Sequence, residues 1–344
     1  MKRTLSGACL VVLLASFAAA QYYTVTDLGT PPGAIFSAGY ALNNAGQVAG
    51  VSGSSLDRGF FWSSTQGILT LPPLGGGNSS TATAINDGDT IAGYSNSYTG
   101  HDHAVLWING VVQDLGTLPG GDDSFAFAIN TSGQVAGAAS SPITSYLQAI
   151  LWSKAHGMQN LGALVTAGSS EAVAINRFGK VVGISDAADG GMHAFVWTKA
   201  GGMQDLGTIS GSTYSSANGV NDRGEIAGYA NCGTTCGHAL FWSSSGTLQD
   251  LGALGGLNSY ATGINNSGQV VGWVAYHGVG DHGFIWSQSA GAQDLNHLID
   301  ANSGWVIQTA YAINDNGQIT GDGMINGQLH AFLLTPTTEV SESQ

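Results

Sequence analysis

The sequence predicts an all-β protein, a seven-bladed β-propeller with four-stranded blades whose last blade is closed by the N-terminal strand. Three observations carry that expectation. A short string, [AG]-[IV]-N-x-x-G-x-[IV]-x-G, recurs along the chain. The segments between its copies are short, alternating or apolar, and bounded by Gly, Asn or Ser, as strands are. The chain also begins and ends on complementary fragments of one repeat.

The string appears as "LNNAGQVAG" around Asn43, "INTSGQVAG" around Asn130 and "INRFGKVVG" around Asn176. It returns as "VNDRGEIAG" at Asn221, "INNSGQVVG" at Asn265 and "INDNGQITG" at Asn314. A looser copy, "INDGDTIAG", follows Asn86 with its glycine, Gly88, one place early. The period is about 45 residues, within the range of propeller blades. Each N-x-x-G reads as a bulged type I hairpin turn, because Asn bonds its own backbone and Gly accepts positive φ. Next comes "HAxxW" or a relative, then a "GG" or "SG" turn, then "QDLG", then a Gly/Ser crossover into the next "xAIN" strand. No window supports an amphipathic helix. The orphan "YTVTDLGT" at residues 23–30 supplies the outer strand that "HAFLLTPT" at the other end lacks.

Repetition assigns most of the eye-catching residues to architecture. His103, His193, His238, His282 and His330 hold one strand position, a blade apart, so they are expected to bond backbone or an Asp of their own blade and not to meet at a metal. Gln148 can stand in as a donor in the third blade; Gly59 cannot in the first. Trp62, Trp107, Trp152, Trp197, Trp242 and Trp286 share a register and are expected to fill the gaps between sheets.

The strings "HAFVW", "GGMQDLG", "GALGG" and "AINDNGQ" resemble the HAF-repeat family of bacterial extracellular proteins, over about residues 25–335. The resemblance implies an exported repeat protein. It implies no enzymatic activity, since the family's repeat has no catalytic motif to carry over.

Residues 1–20 read as a signal peptide: Lys2 and Arg3, an apolar run from Leu10 to Phe17, then Ala18-Ala19-Ala20. The propeller occupies 21–337, and 338–344 form a polar tail. Secretion to the exterior or the periplasm is expected, without a stable membrane anchor. Without the leader, six Lys and Arg face 22 Asp and Glu, a formal −16. Such a chain is a poor partner for nucleic acid or anionic lipid, both of which need clustered cations. Charged residues are only 9% of the chain. A monomer with no cofactor is expected. Cys232 and Cys236 in "NCGTTCG" read as a loop-tip disulfide; the alternative is half a metal site with His238.

The loops before "HAF" and the crossovers share one face and vary freely, so that face is where function is expected. Two candidate sites lie there. Trp273, Tyr276 and His277 in blade six, with His297 and Trp305 in the long seventh crossover, suggest a shallow aromatic site for a neutral sugar or peptide between blades six and seven. Asp102, Asp122 and Asp123 are the hard oxygen donors for a loop-bound cation such as calcium, although solvated loop acids are the plainer reading. The expected function is a secreted, non-catalytic module that binds a glycan, matrix polymer or protein. The alternatives are a propeller-type glycosidase or lyase, which needs only two carboxylates gathered from different blades, and a purely structural envelope protein.

Overall fold

The computed structural model describes residues 22–142, 146–233 and 236–337; the expected leader, Gln21 and the polar tail lie outside them. It contains seven four-stranded antiparallel sheets. Blade one runs from its inner strand Phe36–Leu42 through Val48–Gly53 and Asp57–Ser63 to its outer strand Gly67–Thr70. Blades two to six repeat this order. In blade seven the inner strand Trp305–Ile313 is followed by Ile319–Ile325 and Gln328–Thr337, and the outer strand is Tyr22–Gly29. The pairing runs from Tyr22 opposite Thr337 to Gly29 opposite Ala331. The N-terminal strand therefore closes the ring, covering the edge of Gln328–Thr337 and giving blade seven the four strands of its siblings.

The repeat residues explain the geometry. Each anchor Asn caps its own turn: Asn176 Oδ1 accepts from the N–H groups of Phe178 and Lys180 at 3.1 and 3.0 Å. Its Nδ2 donates to the carbonyl of the next anchor, Asn221, at 3.0 Å. The same reach links Asn43 to Asn86, Asn86 to Asn130, Asn130 to Asn176, Asn221 to Asn265 and Asn265 to Asn314. Asn314 then returns to Asn43 at 2.9 Å. The result is a closed circle of buried hydrogen bonds around the axis.

A serine six residues before the anchor joins the blades lower down. Ser124 Oγ accepts from Ala104 N–H of the previous blade and donates to the Gly116 carbonyl. Ser37 does the same to Ala331 and Gly29, tying blade one to the closing blade. Blade seven has no such serine. There Asn296 in the long crossover accepts from Ile307 N–H at 2.7 Å and donates to its carbonyl at 3.0 Å.

The glycine ending each "GQVxG" is a steric requirement. The inner strand bulges beside it, and a Cβ at Gly183 would overlap the Glu171 carbonyl oxygen and crowd the Phe195 ring. The register tryptophans pack against the preceding blade: Trp107 with Leu71, Trp242 with Leu206. Leu334 holds that position in blade seven. Among the described residues no helix is long and apolar enough to cross a membrane.

Two outcomes are expected. Deleting 22–29 exposes the inner faces that Tyr23 and Leu28, both 4% exposed, now cover, and should lower the melting temperature far more than deleting 338–344; equal shifts in a thermal melt would refute the closure. Asn265→Ala removes two turn caps and the bond to blade seven, and should cost on the order of 2–4 kcal/mol in denaturant unfolding, as several buried hydrogen bonds would.

Candidate functional site

The hairpin end of the axis opens into a polar cavity of about 370 Å³. Its floor is apolar, formed by the residue before each anchor, from Leu42 to Ile313. Its rim is the residue after each anchor: Asn44, Asp87, Thr131, Arg177, Asp222, Asn266 and Asp315. A second circle of bonds runs through this rim. The N–H groups of Asn44, Arg177, Asp222, Asn266 and Asp315 each donate to the side chain of the next blade's rim residue, at 2.8–3.1 Å. The circle breaks where the next side chain cannot accept. Thr131 is too short to reach back to Asp87, and Arg177 has only donors to offer Thr131. The break faces blades two to four.

The repeated histidines are used within their blades. Nδ1 of His103, His193, His238 and His282 lies 2.7–3.0 Å from Oδ2 of Asp114, Asp205, Asp250 and Asp294. His330 pairs with Asp27 of the closing strand at 2.9 Å. In the first four pairs the other oxygen of the Asp caps the strand end, as Asp205 Oδ1 accepts from Gly207 N–H, while in Asp27 the Oδ1 atom both takes the Gly29 cap and lies nearest His330. In blade three, where Gln148 replaces the His, the Asp becomes Asn160, which keeps only the cap, to Gly162. Gln148 donates to the Gly168 carbonyl instead. Cys232 and Cys236 form the loop disulfide.

The structure separates the five residues expected to form one aromatic site. Trp273 and Tyr276 lie on opposite faces of one strand, because an odd spacing alternates sides. Trp273 stacks on Tyr260 at 4.3 Å. Tyr276 instead packs in the blade five–six seam, 5.2 Å from the His282 ring. Trp305 is half-buried in the blade six–seven core, edge-on to Phe332 at 6.1 Å. His277 and His297 are exposed, the latter on the short 3-10 turn Leu295–His297. Around the expected cation donors Asp102, Asp122 and Asp123, the described residues form no group of three or more His, Cys, Asp or Glu placed to hold a metal. Asp123 Oδ1 accepts from Asp102 N–H and lies 3.2 Å from His101 Nδ1, while the N–H groups of Asp122 and Asp123 bond Ser140.

Two features emerge that the sequence reading did not single out. One is a run of touching rings across the blade five–six seam: Tyr214 to Tyr229 at 5.6 Å, Tyr229 to Tyr260 at 4.8 Å, then Trp273. All four are half-buried, toward the loop-bearing end. The other is Asp322, 8% exposed in the second strand of blade seven. Burial pushes its pKa up to about 6, against bonds from Thr309 and Tyr311 that lower it, with Asp281 adding to the rise. Tyr311 Oη donates to Asp322 at 3.3 Å. The signal was visible: "ITGDGM" puts a carboxylate where the other blades carry Val51, Tyr94, Ala138, Ile184, Tyr229 and Trp273.

No family model and no curated protein matches this chain. The fold has solved counterparts. Virginiamycin B lyase from Staphylococcus aureus matches with a TM-score of 0.55 at 10% identity, over 91% of this chain and 99% of that one. A puromycin hydrolase variant matches with a TM-score of 0.54 at 13% identity, over 90% of this chain and 52% of that one. TolB from Acinetobacter baumannii gives 0.49 at 12% identity, over 72% of this chain; the match spans 63% of TolB's length. At these identities the likeness to the lyase and the hydrolase is one of fold alone.

Asp322 makes a measurable prediction. Its folded-state pKa is raised, so the folded protein holds the proton more tightly. Stability from this group is greatest below the unfolded pKa, near 4, and is lost as pH rises through about 6. The loss is on the order of 3 kcal/mol for two pH units. Asp322→Asn should remove that decline, raising the melting temperature at pH 7 but not at pH 3.5. Parallel pH profiles for the two proteins would refute the assignment.

Proposed function

We propose that this chain is an exported binding module, a HAF-type propeller that holds an extracellular glycan on its loop-bearing end without transforming it. The ring run Tyr214–Tyr229–Tyr260–Trp273 carries this reading. Partly exposed aromatic rings in a row offer apolar surface to sugar rings, and the neighbouring hydroxyls of Tyr214 and Tyr229, 3.0 Å apart, offer polar contacts. The leader-like residues 1–20 and the HAF resemblance support export. The architecture itself uses the His–Asp pairs and the anchor asparagines, which leaves unrepeated side chains such as these to distinguish the protein.

A second reading, a propeller hydrolase or lyase, is favoured by Asp322 alone. A buried carboxyl with a pKa near 6 suits proton transfer near neutral pH. A neutral-glycan array run beside a product assay separates the two. Under the binding reading, Trp273→Ala with Tyr260→Ala weakens binding to the array's best neutral glycan by about tenfold or more, as the loss of stacking would, and no product accumulates. Turnover abolished by Asp322→Asn would instead establish the enzyme.

A further inference from the structure

We infer that the hairpin face of blades three to five is a second site, built for an anionic polysaccharide. It is independent of the aromatic run, which lies toward the opposite end of the molecule. Of the six Lys and Arg beyond residue 20, five are Lys154, Arg177, Lys180, Lys199 and Arg223; only Arg58 lies elsewhere. They are spread over seventy residues of sequence but occupy the hairpin turns of three neighbouring blades. Lys180, Lys199 and Arg223 line one open cleft of about 460 Å³, and Arg177 borders it on the rim of the central cavity. Lys154 shares the turn that contributes Ser153 and His156 to the lining. Elsewhere the protein is strongly acidic, so this sector reverses the sign of the surface.

The pairing leaves charge to spare. Arg177 faces Asp222 at 3.4 Å, and Arg223 holds Glu225 at 2.6 Å. Lys154, Lys180 and Lys199 make no ion pair with any described residue. Asp222 is the one carboxylate in the lining.

Two of these cations displace structural acceptors. In blades one, three, six and seven the residue four after the anchor is a Gln whose oxygen accepts from the anchor amide, as Gln134 does from Asn130 at 2.9 Å. Glu225 does the same in blade five. Blade four has Lys180, which cannot accept. Arg177 likewise stands where an acceptor would continue the rim circle. Blade four thus carries two positive charges at positions where most blades carry hydrogen-bond acceptors; Lys180 keeps the seat of the Gln over the next blade's turn, at Gly224, without its bond.

The cleft's other groups favour sugar over an acidic peptide. Phe178, 69% exposed, stands at the lip with the Arg177 guanidinium 4.6 Å above its ring, leaving the opposite face to stack. Gln134, Gln159 and Thr198 supply groups that both donate and accept, as hydroxyl-rich rings require. The lining is mixed, with Leu151, Trp197 and Phe178 set beside these polar groups, as the two-faced surface of a sugar ring requires.

The test is titration of the mature chain with polygalacturonate, heparin, a neutral galactan and poly-glutamate, at low and at moderate salt. Binding to polygalacturonate or heparin is expected, and the stronger of the two identifies carboxylate or sulfate as the charge. It should weaken at least tenfold in Lys180→Gln with Lys199→Gln, and steeply with salt, because the site is exposed. Arg58→Gln removes one positive charge outside the cleft and should leave binding unaltered, as should the Trp273 and Tyr260 pair, whereas Lys180→Gln alone should already weaken it. Phe178→Ala should weaken the glycans and not poly-glutamate. Binding to neither anionic glycan, equal binding by the double lysine variant, or tighter binding of poly-glutamate would overturn the inference.

Discussion

The hydrogen bond from each anchor asparagine to the carbonyl of the next is the constraint on which this fold depends. One side chain does two tasks. Its oxygen caps a tight turn, and its amide spans to the neighbouring blade. The second task can be completed around the axis only when the seventh blade returns to the first, as Asn314 does to Asn43. The circle therefore couples local turn geometry to blade number, and the bonds are buried where an unpaired amide would be costly. The Ser clamps repeat that logic further out, and the tryptophans fill the wedge-shaped space that remains.

A scaffold built this way uses its repeated polar atoms internally. The five His–Asp pairs show it most clearly: each Asp serves both a strand cap and a histidine, and the two partners disappear together in blade three. Distinctive chemistry must then come from positions where a blade departs from its siblings. Blade seven replaces the clamp serine by Asn296 and gains Asp322. Blade four replaces two acceptors by Lys180 and Arg177. Blades five and six carry the ring run. These departures lie on different faces, so one molecule can offer a neutral aromatic surface and a cationic one.

Blade number, strand order and ring closure were legible because they rest on periodicity, which a sequence displays directly. The circle of anchor asparagines was not, because Asn in a turn is fully explained by the turn; its amide's reach depends on how closely the blades approach. The ring run was hidden for a similar reason. Tyr229 and Tyr260 belong to separate repeats and touch only across a seam. The grouping of Trp273 with Tyr276 had a warning in plain view, since residues three apart in a strand face opposite ways. The lysines looked scattered in the sequence, yet equal turn positions in adjacent blades are neighbours in space.

Placing the cations in one sector of an acidic molecule has a kinetic consequence. At distances beyond the Debye length of about 8 Å at physiological salt, a polyanion experiences a screened and mostly repulsive protein. Only a segment that approaches the hairpin face of blades three to five meets a local excess of positive charge. Capture at the inferred site would consequently be oriented, with the polymer held along one face and repelled by the rest, against wrapping around the propeller. Neutral chains feel no such bias, and under the proposed reading ring stacking alone would select them. The surface charge would thus separate the two proposed ligand classes by physics that operates before any close contact is made.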